Sequence, residues 1–125
     1  MAQSNPNLKT FRTATDMSAT DYRFVKMSAD TVVVLSGAGE AIIGIRQDSP
    51  DGSVTAKDVN VAISGTSKLT LGDTVTVGAY LKSDAAGAGV PSTTDTEIYG
   101  AIALEAGVVG QVIEVLVKPS STLSA

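Results

Sequence analysis

The sequence contains no histidine and no cysteine. The lack of histidine removes the commonest general base and metal ligand, and it excludes Ser-His and Cys-His nucleophile pairs. The lack of cysteine excludes disulfides and thiolate metal sites. Carboxylate pairs remain, and the closest are Asp48 with Asp51 and Asp95 with Glu97, all in polar, turn-like stretches. Solvated turn residues lack the apolar surroundings that separate the pKa values of catalytic carboxylates, so we predict that the chain is not an enzyme.

Metal and cofactor motifs are also missing. Asp48, Asp51 and Asp58 offer oxygen ligands for calcium, but their spacing does not follow the loop that begins with alternating aspartates and ends in glutamate. Gly37-Ala-Gly39 follows an apolar run and mimics the start of a dinucleotide-binding turn. Ile42 stands where the third glycine is needed, and the next segment is β-like, so we interpret Gly37–Gly39 as a hairpin turn. We therefore predict no cofactor and no metal.

Aromatic residues make up only 4% of the 125 residues, so the core must consist mainly of Val, Ile, Leu and Ala. The length suits one domain, and 12 glycines among many β-branched residues favour short strands joined by tight turns.

The N-terminus has no apolar signal-peptide region. Apolar runs such as Val32–Leu35 and Ala41–Ile45 are far too short to span a bilayer. We expect synthesis in a host cytoplasm and no membrane partner.

The charge is unevenly distributed along the chain. Residues 1–26 carry four basic and two acidic residues, whereas the remainder carries five basic and eleven acidic residues within a total net charge of −4. An acidic body lacks the basic stripe that binds phosphates, so no nucleic-acid partner is expected. The basic first segment is suited to steering toward an acidic protein surface.

Residues 1–21 read as an extended N-terminal arm, residues 22–118 as a β domain and residues 119–125 as a short C-terminal tail. The arm is polar, and between Met1 and Met17 its only bulky apolar residues are Leu8 and Phe11. In the domain, alternating or β-branched runs predict strands over 22–27, 31–35, 41–46, 58–63, 68–71, 74–77, 79–82, 98–104 and 112–117. Ser64-Gly65 is predicted to end one strand, residues 83–97 to form a long loop, and residues 101–106 are the best candidate for a short helix. The fold class predicted is mainly β: a small β-barrel or sandwich of short antiparallel strands.

Two apolar strands of the predicted domain contain an internal glycine, in Ala41-Ile-Ile-Gly-Ile45 and Ile98-Tyr-Gly-Ala-Ile102. Glycine within a strand usually marks a bulge, a bend or a close approach of another backbone. We therefore expect the chain to be bent or crowded at both places.

The order of these features resembles a family of tailed-phage capsid decoration proteins, also called cement or head-stabilising proteins. The resemblance covers residues 36–118 and rests on glycine and valine patterns. The segments that carry it are Gly39-Glu-Ala-Ile-Ile-Gly-Ile45, Val59-Asn-Val-Ala-Ile63 with Gly65, Leu71-Gly-Asp73 with Val77-Gly78, the loop from Ser83 to Pro91, Tyr99-Gly-Ala-Ile-Ala-Leu104, and Gly110-Gln-Val-Ile-Glu-Val-Leu-Val117. The basic N-terminal arm has no match in that pattern.

The resemblance implies a structural role on the outer surface of the virion head. Proteins of this family bind the major capsid protein, stabilise contacts between its subunits and often assemble as oligomers, with a trimer favoured over a dimer here. A protein that holds neighbouring subunits together in this way needs strand edges or arms that add to a partner's sheet. The predicted capsid-binding residues are in the arm: Asn7, Leu8, Lys9, Thr10, Phe11 and Arg12, with Leu8 and Phe11 as apolar anchors on the partner.

An alternative of a different class is a carbohydrate-binding β-module of a virion fibre or surface adhesin. Such a module needs exposed aromatic rings on which sugars stack. Beyond Phe24 the only aromatic residues are Tyr80 and Tyr99, and both lie in strand-like runs where packing in the core is the simpler expectation.

Overall fold

The computed structural model describes residues 6–13, 22–30, 32–47, 58–93 and 97–122, and all regular secondary structure in these ranges is β. The mainly-β prediction is thus confirmed. The strands are β1 (Pro6–Thr13), β2 (Arg23–Ala29), β3 (Val32–Leu35), β4 (Gly44–Arg46), β5 (Asp58–Thr70), β6 (Tyr80–Ser83), β7 (Gly89–Pro91), β8 (Ile98–Ala103) and β9 (Val112–Thr122). Among these residues, none forms a helix long and apolar enough to cross a bilayer.

The first five strands close into a small barrel. Their order is β1-β3-β2-β4-β5, and β1 also pairs with β5, which completes the ring. All contacts in the ring are antiparallel except β1 with β3, which run parallel. Its interior holds one core cluster: Phe11, Val25, Val33, Val59 and Val61. We call this ring the first barrel.

The remaining strands form a second layer that continues from the same long strand. The second half of β5 pairs with β9, and the order continues β9-β8-β6-β7. A parallel bridge between Leu71 and Gly89 links the end of β5 to β7 and brings the sheet round on itself. The larger core cluster fills this second half, and it includes Leu69, Leu81, Ala101, Ile113 and Val115.

Strands β2, β4 and β5 are buried on both faces where the two halves meet. Side chains alternate across a strand, so neighbours in sequence point to opposite sides. Val25 and Val61 belong to the first barrel's core, whereas their neighbours Phe24 and Ala62 belong to the larger cluster. All four are fully buried. This explains why these segments are continuously apolar instead of alternating with polar residues.

The two strand glycines occupy the crowded positions that the sequence predicted. A Cβ on Gly44 would lie 2.2 Å from the carbonyl oxygen of Ala62, so β4 and β5 approach too closely there for a side chain. Gly100 lies at a shift in the β8–β9 register between Tyr99 and Ala101, and a Cβ on it would lie 2.8 Å from Ile42. Gly44 therefore lets β4 and β5 approach closely, and Gly100 leaves room for Ile42 of the larger core cluster.

Several local predictions differ from the structure. The chain does not turn at Ser64-Gly65, because Gly65 takes a φ of 82° within β5 and the strand continues from the first barrel into the second half. The long loop predicted over 83–97 contains β7, and the segment predicted as a strand over 74–77 contributes only an isolated bridge from Val75. The helix predicted near 101–106 is wrong, because those residues continue β8 into a bend. Strand β9 continues to Thr122, beyond Lys118, where the domain was predicted to end.

Candidate functional site

The predicted arm residues, Asn7 to Arg12, lie on β1. This strand runs antiparallel to β5 with a register from Pro6 opposite Gly65 to Arg12 opposite Asp58. Two pairs of polar side chains reinforce the register: Asn7 Nδ2 donates to Ser64 Oγ at 2.6 Å, and Thr10 Oγ1 donates to Asn60 Oδ1 at 2.9 Å. The structure therefore brings the six residues together on one strand of the chain's own sheet. Residues 14–21, the rest of the predicted arm, lie outside the described residues.

Phe11 anchors β1, and the other predicted residues are exposed. The Phe11 ring retains only 9% of its accessible surface, inside the first barrel, while Leu8 remains 50% exposed. Lys9 Nζ lies 5.9 Å from the centre of the Phe11 ring, within the range of a cation–π contact. Of the two apolar residues that the sequence suggested as anchors for a partner, Phe11 thus packs in its own chain and Leu8 faces outward.

Among the described residues, one backbone edge of β1 carries little pairing. On that side, β3 contacts only Arg12 and Thr13 through Val32 and Val33. Within the ranges that the structure describes, no strand pairs with residues 7–11 along the edge opposite β5. Unpaired N–H and C=O groups along a strand edge are a template for a strand from another chain. The edge is bordered by the exposed side chains of Leu8, Lys9 and Thr10.

The Gly37–Gly39 segment forms a turn, but the hairpin that the sequence predicted is wrong, because β3 and β4 lie on opposite sides of β2. The carboxylate of Glu40 fills this turn. Glu40 Oε1 accepts the backbone N–H of Gly37 at 2.6 Å and lies 2.6 Å from Lys26 Nζ. These contacts hold the pKa of Glu40 below its usual range, chiefly through the hydrogen bond from Lys26 and next through that from Gly37. The backbone N–H of Gly37 therefore donates to a side chain of the same protein.

Of the carboxylates that the sequence singled out, only two lie within the described residues. Asp48, Asp51 and Asp95 fall outside them, and Asp58 is placed by its backbone as the first residue of β5. Glu97 accepts hydrogen bonds from Lys82, from Ser92 Oγ at 3.0 Å and from the N–H of Thr93 at 3.2 Å. Glu97 thus joins the start of β8 to β6 and to the end of β7. In the described part of the chain, no three acidic residues converge as a metal site would require.

Tyr80 and Tyr99 form an aromatic pair on the outer face of the second half. Their ring centres are 4.8 Å apart with a tilt of 32° between the planes, and Tyr80 is 39% exposed. Tyr99 is half-buried and lies beside Tyr80 at the register shift around Gly100, while Leu81 and Ala101 are fully buried. The expectation that both rings pack in the core is wrong for Tyr80.

A group of exposed apolar side chains, which the sequence reasoning missed, lies where the second half ends. It consists of Val77, Leu104, Val108, Val109 and Val112, and we call it the apolar end. The sequence contains one indication of this surface. Val108 and Val109 lie in a short segment between Gly107 and Gly110, and apolar side chains in so short a turn rarely reach the core.

The fold has a counterpart among solved structures. No family model matches the sequence, and no curated protein matches it. The structure is similar to that of the head fibre gp8.5 N base in bacteriophage phi29, with a TM-score of 0.70 and 16% sequence identity, over 97% of this chain and 100% of that chain. The two proteins share a fold. The likeness extends over the first barrel as well as the second half, so it includes strand β1.

Proposed function

We propose that the protein is a structural component of a phage head that sits on its outer surface, binds the major capsid protein and stabilises contacts between capsid subunits. The observation that carries the proposal is the fold shared with a phage head fibre base along nearly the whole chain. The sequence resemblance to capsid decoration proteins supports the same location independently, because it rests on residue patterns and not on the fold. A role in binding fits a molecule whose distinctive surfaces are a strand edge and apolar patches.

Strand β1 supplies the capsid contact in this proposal. Its edge along residues 7–11 can accept main-chain hydrogen bonds from an extended segment of a capsid subunit, and Leu8 adds an exposed apolar contact. Lys9 and Arg12 give the strand positive charge that favours an acidic partner surface. Many copies acting on one closed shell would add their contacts, so each contact can be weak. Association of the protein with itself, as a trimer, belongs to the same proposal.

The test is sedimentation with DNA-free, expanded heads that lack this protein, taken from the phage or prophage that encodes it. Purified protein is expected to pellet with the heads and to saturate at a fixed number of copies. Leu8→Asp is expected to weaken binding, because a charge would be placed in the contact, whereas Met27→Asp serves as the control at another exposed apolar residue of the first barrel. If the wild-type protein stays in the supernatant at every concentration, the proposal is wrong.

The second candidate is the carbohydrate-binding module, and the observation that favours it is the outward-facing Tyr80–Tyr99 pair. A sugar ring would stack on the exposed part of Tyr80. Glycan-array binding that is lost in Tyr80→Ala would support this function, and an array without signal for the wild-type protein would eliminate it.

A further inference from the structure

Exposed apolar side chains are concentrated at the apolar end. Of the eight large apolar side chains that are exposed among the described residues, five belong to it, with exposures between 42% and 68%. Single exposed apolar residues are normal on a protein surface, but a concentration of them marks an interaction site. Three turns contribute to it, so the concentration does not come from one frayed segment.

Main-chain hydrogen bonds hold these turns against one another. The N–H of Gly78 donates to Ala103 O at 2.8 Å, which places Val77 beside Leu104. Val75 and Gly107 exchange hydrogen bonds of 2.8 and 3.0 Å, and the N–H of Gly110 donates to Leu71 O at 2.9 Å.

These bonds fix the turn that carries Val108 and Val109 against the end of β5. Val112 pairs with Thr70 at that same end. The apolar side chains are thus presented on a built surface whose backbone is hydrogen-bonded.

The charge within the segments that form the apolar end is negative. Residues 71–81 and 98–117 contain no lysine or arginine, and they contain three acidic residues: Asp73, Glu105 and Glu114. Asp73 is exposed, and the Glu105 carboxylate accepts the N–H of Glu114 at 2.9 Å, next to Leu104.

Three basic residues lie nearest in sequence. Lys82 pairs with Glu97, and Lys118 lies six residues along β9 from Val112. Lys68, which is opposite Glu114 on the β5–β9 ladder, is held over the Tyr22 ring at 5.7 Å. The border formed by Asp73 and Glu105 is therefore acidic, whereas β1 is basic.

We propose that the apolar end is a second protein-docking surface, separate from β1, and that its partner on the phage head presents an apolar strip bordered by lysine or arginine. A second copy docked symmetrically on this surface would bring acidic borders together, which opposes that arrangement. A basic border on the partner complements it. This inference rests on the proposed function and deepens it, because a protein that fastens two capsid subunits together needs two separate contacts.

The position of the two surfaces suits such a bridge. Strand β1 pairs with the first half of β5, from Asp58 to Gly65, and the apolar end lies beyond the other half, at Thr70 and Leu71. Strand β5 thus connects the β1 surface and the apolar end. Two contacts on one rigid body raise the affinity for an assembled lattice far above that of either alone.

The experiment measures binding to the DNA-free heads for the wild type, Val109→Asp and Met27→Asp. Val109 is 64% exposed and Met27 is 41% exposed, so both variants are expected to fold, which thermal unfolding will verify. Val109→Asp is expected to weaken binding about tenfold or more, because it buries an unpaired charge in an apolar contact. Met27→Asp is expected to bind like the wild type. A third variant, Asp73→Asn, is expected to bind more weakly at low salt and to reduce the salt dependence of binding.

The outcomes separate the two proposals. If the wild type does not bind heads, the proposed function is wrong. If the wild type binds and Val109→Asp binds equally well, the function stands and the docking surface is overturned. If Val109→Asp dissociates a self-assembled oligomer in sedimentation velocity while leaving head binding unchanged, the occupant is a second copy, and the basic-bordered partner is overturned.

Discussion

Substitution of Gly44 by alanine is expected to be far more damaging than its size suggests. The new Cβ would lie 2.2 Å from the carbonyl oxygen of Ala62 and 2.8 Å from Val61 Cγ1. The nearer atom is backbone, in the middle of β5, so no side-chain rotation relieves the contact. Ordinary contact between carbon and oxygen requires the two strands to separate by about 1 Å more.

The cost follows from what this separation breaks. Strand β4 pairs with β5 only through Ile45 opposite Ala62 and Arg46 opposite Val61. Weakening about two ladder hydrogen bonds costs about 1 kcal/mol each, and residual overpacking costs about 1–3 kcal/mol, so we expect a loss of about 3–5 kcal/mol. For a chain of this length that corresponds to a fall in Tm of roughly 10–20 °C.

Gly39→Ala is the matched control. Gly39 has a φ of 70°, but a Cβ there would have no neighbour within 4 Å. The free energy of unfolding of Gly39→Ala is therefore lowered only by the strain of alanine at a positive φ, about 1–2 kcal/mol. Denaturant and thermal unfolding of both variants, followed by circular dichroism at 25 °C and above, would give the comparison. If Gly44→Ala is no less stable than Gly39→Ala, then β4 and β5 do not approach as closely as described.

Three further predictions concern single side chains. Phe11→Ala is expected to lower the free energy of unfolding by about 3 kcal/mol, since the ring fills the first barrel, whereas exposed Leu8→Ala should change it by less than about 0.5 kcal/mol in denaturant titrations. Glu40→Gln is expected to be less stable than the wild type at pH 7. Because the folded pKa of Glu40 is depressed by Lys26, that difference should vanish as the pH falls through this pKa, and a difference that persists in strong acid would contradict the assignment. Glu97→Ala is expected to cost about 1–2 kcal/mol in thermal unfolding, because it leaves three donors from separate elements without their acceptor, and a loss no larger than that of Glu40→Gln would contradict this role.

The sequence predicted most strands because their local patterns are strong. The apolar run in β9 and the alternation of Val59, Val61 and Ile63 mark strands without any knowledge of their neighbours. The glycines within β4 and β8 signalled close approach for a local reason as well, since glycine there weakens a strand unless space requires it. Such features can be recognised one segment at a time.

Pairing between distant segments could not be predicted in the same way. Ser64-Gly65 has the composition of a turn, and only the simultaneous presence of β1 and β9 on either side of it makes β5 one continuous strand. The parallel contact of β1 with β3 likewise depends on the closure of the barrel. Arg46 is fully buried although its sequence position is the polar end of a strand, because it is paired with Val61 and therefore shares the face of the sheet that encloses the first barrel's core.

The candidate surfaces were predicted in part. Residues 7–12 were recognised as an extended segment with apolar anchors, but the sequence did not show that Phe11 would enter the chain's own core. The apolar end was missed because its members come from segments separated in sequence and meet only through the turns around Gly78 and Gly110.

Strand β5 makes the chain indivisible as a folding unit. Its first half is a wall of one core and its second half a wall of the other, and Phe24 and Ile45 on the neighbouring strands pack from the first barrel into the larger cluster. Opening either half would expose the apolar wall of the remaining half to water. We therefore expect the amide hydrogens at the centre of β5 to be among the slowest in the chain to exchange with solvent, and neither half to be stable as an isolated fragment.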